Sequence, residues 1–174
     1  MSASDTSAHA AGRSRPAPVA VGDTAPDFTL TNQAGMQVTL HDFLGKGPLV
    51  VYFYPKDESS GCTAEACSFR DSYEVFKKAG AEVIGISSDS ADSHQSFAQH
   101  HRLPFVLLSD AGNRVSKLYG VPATMGIIPG RVTYIIDAQG IVRHIFSSQF
   151  SPTKHVNEAL RIIAEMQPHG APPA

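Results

Sequence analysis

The chain carries two cysteines, Cys62 and Cys67, and they stand five positions apart. A disulfide this local removes little unfolded-state entropy, about 2 kcal/mol by loop-closure arithmetic, so it would be a poor staple. A close pair in an otherwise cysteine-free chain reads instead as redox chemistry. The stretch Tyr54-Pro-Lys-Asp-Glu-Ser-Ser-Gly-Cys-Thr-Ala-Glu-Ala-Cys67 follows the most apolar run of the chain and opens a helical pattern. Cys62 is therefore expected in the first turn of a helix, where unpaired N–H groups and the positive end of the dipole favour thiolate over thiol.

Ionisation by itself achieves little. A thiol of pKa about 8.5 is roughly 3% ionised at neutral pH, and a fall to about 6 gains roughly 30-fold in thiolate. The same fall costs roughly 13-fold in nucleophilicity, which leaves a net advantage of about two- to threefold. A thiolate that attacks a hydroperoxide therefore needs a pocket that holds the O–O bond in line with sulfur and stabilises charge on the departing oxygen. Three residues are candidates for that pocket. Ser59 can present a hydroxyl into the same turn, although local sequence reads it first as a helix cap or turn residue. Pro55 stiffens the loop and shields one side from water. Arg131 begins a strong strand pattern and supplies a permanent cation with several fixed donors.

Cys67 adds a conformational demand. On an intact helix, residues i and i+5 differ by about 140° around the axis and about 7.5 Å along it, so the two sulfurs point apart. Disulfide geometry needs Cα atoms within about 7 Å and converging Cβ vectors. Joining the pair is expected to unwind residues 61–69, in the order sulfenic acid on Cys62, local opening, then disulfide. Other residues with chemical potential have plainer readings. Arg70 and Asp71 read as an exposed pair, His100 and His101 as partners of a helix C-terminus that bind nothing, and Phe69, Tyr73 and Phe76 as core. None of the eight histidines pairs with a cysteine at metal-ligand spacing, so no zinc site is expected.

The elements that must position these groups alternate between strand and helix. Residues 28–30 and 37–40 flank an Asn-Gln-Ala-Gly turn and read as a hairpin. Residues 48–54 (PLVVYFY) read as a central strand covered on both faces. Apolar Ala66, Phe69, Tyr73 and Phe76 predict one helix over 62–79, ended by Gly80. A strand over 82–87, a helix over 90–101 capped by Asp89 or Ser90, a strand over 105–108 and a short helix over 113–119 follow. Residues 131–136 and 141–146 form a second hairpin around Asp137-Ala138-Gln139-Gly140, and 152–166 close the domain as an amphipathic helix. The predicted fold class is α/β, a central mixed sheet with helices on both faces and an N-terminal β-hairpin.

Composition excludes several classes. The formal net charge is −2 and the basic residues are scattered, which gives no footprint for nucleic acid or a membrane surface. No apolar run approaches the roughly 20 residues a membrane span needs. Residues 1–20, rich in Ala, Ser and Pro, read as a disordered tail, 21–167 as one domain and 168–174 as a flexible end. The N-terminal stretch lacks the apolar core of a secretory signal, and Asp5 beside only Arg13 and Arg15 does not fit a transit peptide.

Several motifs in order, YPKDESSGCTAEAC, SFRDSYEVFKKAGAEVIGISSDS, LPFVLLSD and IPGRVTYIID, together resemble the peroxiredoxin family, in its bacterioferritin-comigratory-protein or peroxiredoxin Q branch. The similarity runs from about Val21 to Met166. It implies a thioredoxin-like three-layer fold, reduction of hydrogen peroxide and organic hydroperoxides, and no metal or organic cofactor. It also implies that Cys62 is the peroxidatic cysteine and Cys67 the resolving one, that Pro55 and Arg131 are the active-site proline and arginine, and that thioredoxin or a similar dithiol is the reductant of a monomeric enzyme. Two positions depart from the pattern. Ser59 stands where threonine is usual and loses a rotamer-restricting methyl group, and Ser60 replaces a common proline, which eases unwinding of the loop. A bacterial cytosol is the default compartment, with the plastid as the other, because the branch includes plastid members. Two competing functions share the scaffold: a thiol–disulfide oxidoreductase, which would favour Cys-x-x-Cys, and a redox-sensing adaptor whose opened segment binds a partner.

Overall fold

The computed structural model describes residues 17–124 and 128–167. The strands are β1 (Thr29–Asn32), β2 (Gln37–Thr39), β3 (Leu49–Phe53), β4 (Glu82–Ser87), β5 (Val106–Ser109), β6 (Ala123–Thr124), β7 (Ile128–Pro129), β8 (Val132–Ile136) and β9 (Val142–Ser147). The helices are α1 (Ser60–Asp71), α2 (Tyr73–Lys78), α3 (Ala91–His101), α4 (Arg114–Tyr119) and α5 (Pro152–Glu165). Seven strands form one sheet in the order β2-β1-β5-β4-β3-β8-β9, and β6 pairs only with β7. The β3–β4 and β4–β5 pairs are parallel, while β1–β2, β1–β5, β3–β8 and β8–β9 are antiparallel. This is the expected mixed sheet of a thioredoxin-like α/β fold, with its N-terminal hairpin at one edge.

All five residues of β3 are buried, because this strand lies in the middle of the sheet and is covered on both faces. The pleat sends Val50, Tyr52 and Tyr54 into one apolar layer and Leu49, Val51 and Phe53 into the other. On β8 the same alternation puts Ile135 in the first layer and Val132, Tyr134 and Ile136 in the second. Arg131 and Thr133 are thereby in phase with Ile135, on the face that also receives Cys62. Helices α1, α2, α3 and α5 supply the first layer through Ala66, Phe69, Phe76, Phe97, Val156 and Ile163. The second layer is closed by α4, through Val115 and Tyr119, and by the segment around Leu40.

Most expected elements lie within one or two residues of their predicted bounds, and two differ in kind. The single helix over 62–79 is two helices, broken at Ser72, whose φ of −99° and ψ of 1° are not helical. The apolar spacing runs through the break, so periodicity could not reveal it. Phe76 is buried in the same apolar layer as Ala81 and Val83, and its carbonyl accepts from Ala81 N–H at 2.9 Å immediately before β4 begins. Leu40, expected in the hairpin, turns instead into a short 3-10 segment over Leu40–Phe43. The hairpin turn itself is held by Asn32, whose Oδ1 accepts from the N–H groups of Ala34 and Met36 at 3.0 Å each. The chain is tied down slightly before the expected domain start, since Val19 N–H donates to Tyr119 O at 3.1 Å. The rest of the predicted N-terminal tail, residues 1–16, and the C-terminal end, 168–174, lie outside the described residues. Among the described residues no helix is long and apolar enough to cross a membrane.

Candidate active site

Helix α1 begins two residues before Cys62, and Ser59 is its N-cap. The Ser59 hydroxyl accepts from Cys62 N–H at 3.4 Å and donates to Lys56 O at 2.9 Å. Of the two roles open to Ser59, the cap is the one its bonds describe, with its hydrogen directed to the loop rather than to sulfur. Cys62 is 1% exposed. Pro55 follows Tyr54 at the end of the buried strand run and is half-buried at the start of the loop. Cys67 is half-buried further along the same unbroken helix, and both cysteines are free thiols.

Arg131 reaches Cys62 from the sheet. Its Nη2 donates to Cys62 Sγ at 3.4 Å, its Nη1 to Glu65 Oε1 at 2.7 Å and its Nε to Gln149 O at 3.4 Å. The strand register explains the reach, because Phe53 pairs with Val132 and Arg131 therefore stands just past the end of that ladder, where the chain leaves β3 toward α1. Gly61 permits the approach, since a Cβ there would lie 3.0 Å from Arg131 Nη2. Burial alone would weaken the arginine's charge, but the neighbouring Glu65 and then Cys62 more than offset it, so Arg131 is held above its ordinary range.

Glu65 was quoted in the motif but given no role by sequence reasoning. It lies three residues after Cys62, a spacing that puts both side chains on one helix face. An acid on the apolar face of a helix needs a partner, and that was the available signal. Burial pushes its carboxyl up to about 8, against the pull of Arg131. Behind it, on α5, His155 Nε2 donates to Ser148 O at 2.8 Å and its Nδ1 accepts from Thr133 Oγ1 at 2.9 Å. Burial holds this imidazole below its usual range. Its 3.8 Å approach to Glu65 Oε2 is therefore a contact with a neutral ring, not an ion pair.

A second buried network fixes the loop that carries Pro55 and Ser59. Asp57 accepts from Tyr54 OH at 2.6 Å, from Ser93 Oγ at 2.8 Å and from His94 Nδ1 at 2.7 Å. His94 Nε2 donates to Leu108 O at 3.0 Å, and Asp57 N–H donates to Asp89 Oδ2 at 2.9 Å. Nothing in the sequence near Asp57 announces His94, which comes from α3. One further expectation is extended and another corrected. Arg70 bonds to Asp71 as predicted, but its Nη1 also donates to His101 O at 2.8 Å and so joins α1 to α3. His100 and His101 are not spectators of the helix end: each bonds to one oxygen of Glu58 at 3.0 Å.

Arg131 offers one nitrogen to the buried carboxyl of Glu65 and the other to the sulfur of Cys62. On a thioredoxin-like sheet that arrangement defines a thiol-dependent redox enzyme. Residues 21–145 match the AhpC/TSA family. The chain is 54% identical over 152 residues to the chloroplastic peroxiredoxin Q of Sedum lineare, covering 87% of this chain and 81% of that one. It is 56% identical over 149 residues to the chloroplastic peroxiredoxin Q of Triticum aestivum, covering 85% and 68%. Among solved structures, peroxidoxin BcpB of Mycobacterium tuberculosis superposes with a TM-score of 0.80 at 36% identity, over 85% of this chain and 98% of that one. Peroxiredoxin Q of Xanthomonas campestris gives a TM-score of 0.73 at 30% identity, over 80% and 90%. The chain belongs to the AhpC/TSA family and is a peroxiredoxin of the Q type, a thiol-dependent peroxidase.

Proposed function

We propose that Cys62 attacks hydrogen peroxide and organic hydroperoxides, that Cys67 resolves the product, and that thioredoxin or a similar dithiol recycles the chain. The observation that carries this reading is the guanidinium of Arg131, fixed 3.4 Å from a buried sulfur at the start of a helix. The Cys62 thiolate attacks one peroxide oxygen and the O–O bond breaks, giving sulfenic acid on Cys62 and an alkoxide or hydroxide that takes up a proton. Arg131 and the N–H groups of the first turn of α1 stabilise charge as it moves from sulfur to the departing oxygen. The Cys67 thiol then displaces water from the sulfenic acid, and a dithiol reduces the resulting disulfide by exchange.

In this reading Ser59 sets the start of the helix and Pro55 shields the pocket. Glu65 orients Arg131 without facing the peroxide. Arg131 is one cation between two acids, Cys62 and Glu65, and a protonated Glu65 leaves the cation free to balance the thiolate. The chain acts as a monomer. The chloroplastic names of the relatives support a plastid compartment, with a bacterial cytosol as the second reading.

Rapid mixing with hydroperoxide tests the assignment. Cys62→Ser is expected to abolish peroxide consumption. Cys67→Ser is expected to form one sulfenic acid per chain and lose thioredoxin-linked turnover. Full thioredoxin-dependent cycling in Cys67→Ser would remove Cys67 from the resolving role, and ready insulin reduction without peroxide consumption would favour a thiol–disulfide oxidoreductase.

A further inference from the structure

Glu58, His100 and His101 converge at the mouth of the loop that leads to Cys62, although they lie 42 and 43 positions apart in the chain. One donor atom from each, an oxygen of Glu58 and a nitrogen of each imidazole, lies within 4.8 Å of the other two. His100 Nδ1 stands 3.0 Å from Glu58 Oε1, and His101 Nε2 stands 3.0 Å from Glu58 Oε2. Consecutive residues on a helix point about 100° apart, so two neighbouring histidines do not ordinarily meet one ligand. Here they do so at the last turn of α3, where Arg102 takes a left-handed conformation with φ of 53° and the two ring centroids are 4.2 Å apart.

Two of the three groups are held in place before any ion arrives. The His101 ring packs edge-on against buried Phe97 at 5.1 Å between centroids, and its carbonyl accepts from Arg70. Glu58 has φ of 62°, the left-handed region that a residue with a side chain seldom adopts, and this turns it back toward α3. The cluster at Asp57, Asp89 and His94 offers a contrast. Its atoms are already consumed by Tyr54, Ser87, Ser93, Leu108 O and the Asp57 amide, and its His94 and Asp57 are buried.

We propose that Glu58, His100 and His101 form a binding site for a divalent transition-metal ion, with two imidazole nitrogens and one carboxylate as ligands and water at the remaining position. Imidazole and carboxylate bind Zn²⁺ at about 2.0–2.2 Å, so neighbouring ligands of a tetrahedral ion lie about 3.3 Å apart. The two 3.0 Å separations run to different oxygens of Glu58, so an ion on one carboxylate oxygen needs one nitrogen to move back by a few tenths of an ångström and the other to swing toward that same oxygen, with the three donor atoms already within 4.8 Å of one another. The exposed face of His100 lets its ring present a nitrogen lone pair inward and an N–H to water. Set against a sequence that offered no cysteine–histidine metal spacing, the site is one that only folding assembles.

The ion would join the residue just before the N-cap of α1 to the end of α3, which already holds the far end of α1 through Arg70. Occupation therefore stabilises intact α1 and opposes the opening that lets Cys67 reach Cys62. This consequence rests on the proposed peroxidase cycle, whereas the site does not.

Titration calorimetry of the full chain with Zn²⁺ tests the site, using Cys62→Ser/Cys67→Ser as background so that no thiolate competes. One ion per chain is expected, and affinity is expected to fall by at least about tenfold in His100→Gln/His101→Gln on that background, the lower end of the loss seen when even a supporting partner is removed. Equal affinity with and without the histidines, or absence of binding in the background chain, would overturn the site. In the wild-type thiol chain, Zn²⁺ is expected to slow peroxide turnover more than in His100→Gln/His101→Gln, which without metal turns over like wild type. Equal slowing of both would overturn the effect on opening while the calorimetric result judges the site separately.

Discussion

Gly61 stands beside Cys62 because the guanidinium of Arg131 needs the space a Cβ would take, 3.0 Å from Nη2. The arginine has little freedom to retreat, being held by Glu65 at 2.7 Å and by Gln149 O. Gly61→Ala is therefore expected to slow sulfenic acid formation while leaving reduction of the disulfide unchanged, a split that stopped-flow measurement of the separate steps reads directly. Equal loss in both steps would point to general disturbance of the loop. Glu65 carries a pH signature of its own. The unfolded chain releases its proton near 4.5, whereas burial keeps it on the folded protein up to about 8. Between those values the folded state binds more protons, so this group's contribution to stability is full at low pH and is lost as pH rises. Glu65→Gln keeps an oxygen for Arg131 and cannot ionise. The urea midpoint of the wild type is expected to fall from pH 5 to 8 and that of Glu65→Gln to lose this slope, and an unaltered slope would exclude Glu65 as its source.

Helix α1 carries both cysteines, and its two halves are anchored unequally. The far half contains Phe69, fully buried and stacked on Tyr52 at 4.5 Å, with Phe76 at 5.9 Å and Phe105 at 6.3 Å. Exposing such a side chain costs roughly 1.5–3 kcal/mol, and Arg70 adds its bond to His101 O just beyond it. The near half is held by the Ser59 cap, the small side chains of Cys62 and Ala66, and the Glu65–Arg131 pair. Unwinding is thus cheapest from the N-terminus to Cys67, which is shorter than the 61–69 stretch expected from spacing alone. Amide exchange of the disulfide form is expected to show lost protection over residues 62–67 and retained protection at Phe69 and Arg70. Exposure of Phe69 to rapid exchange would restore the longer segment.

At the scale of the whole molecule, the sheet separates two apolar layers, and only one of them touches the site. Gly85 leaves no room for a side chain in the layer that holds Cys62. It lies in register between Tyr52 and Leu107, and a Cβ would come within 2.9 Å of both side chains. Gly85→Ala is expected to cost about 1–3 kcal/mol in denaturant unfolding, the usual range for overpacking a filled core. A neutral result would show that the Tyr52 ring can shift, loosening the floor under Phe69.

Much of this molecule was readable from short stretches of chain. The apolar run of β3, the turn at Asn32, the Ser90 cap, the amphipathic α5 and the place of Cys62 in a first helical turn all depend on residues within a turn or two of one another. Dihedral preference, pleat and helical period act at that range, so residue order alone carries them. The break at Ser72 left no trace in the apolar spacing, because both helices bury the same stripe. The partnerships that make the site span far more chain: 66 positions from Glu65 to Arg131, 37 from Asp57 to His94 and 42 from Glu58 to His100. Those were settled by strand order and register. Placing β8 beside β3 with Val132 opposite Phe53 is what carries a distant arginine to the sulfur, and no local property of either segment encodes that distance.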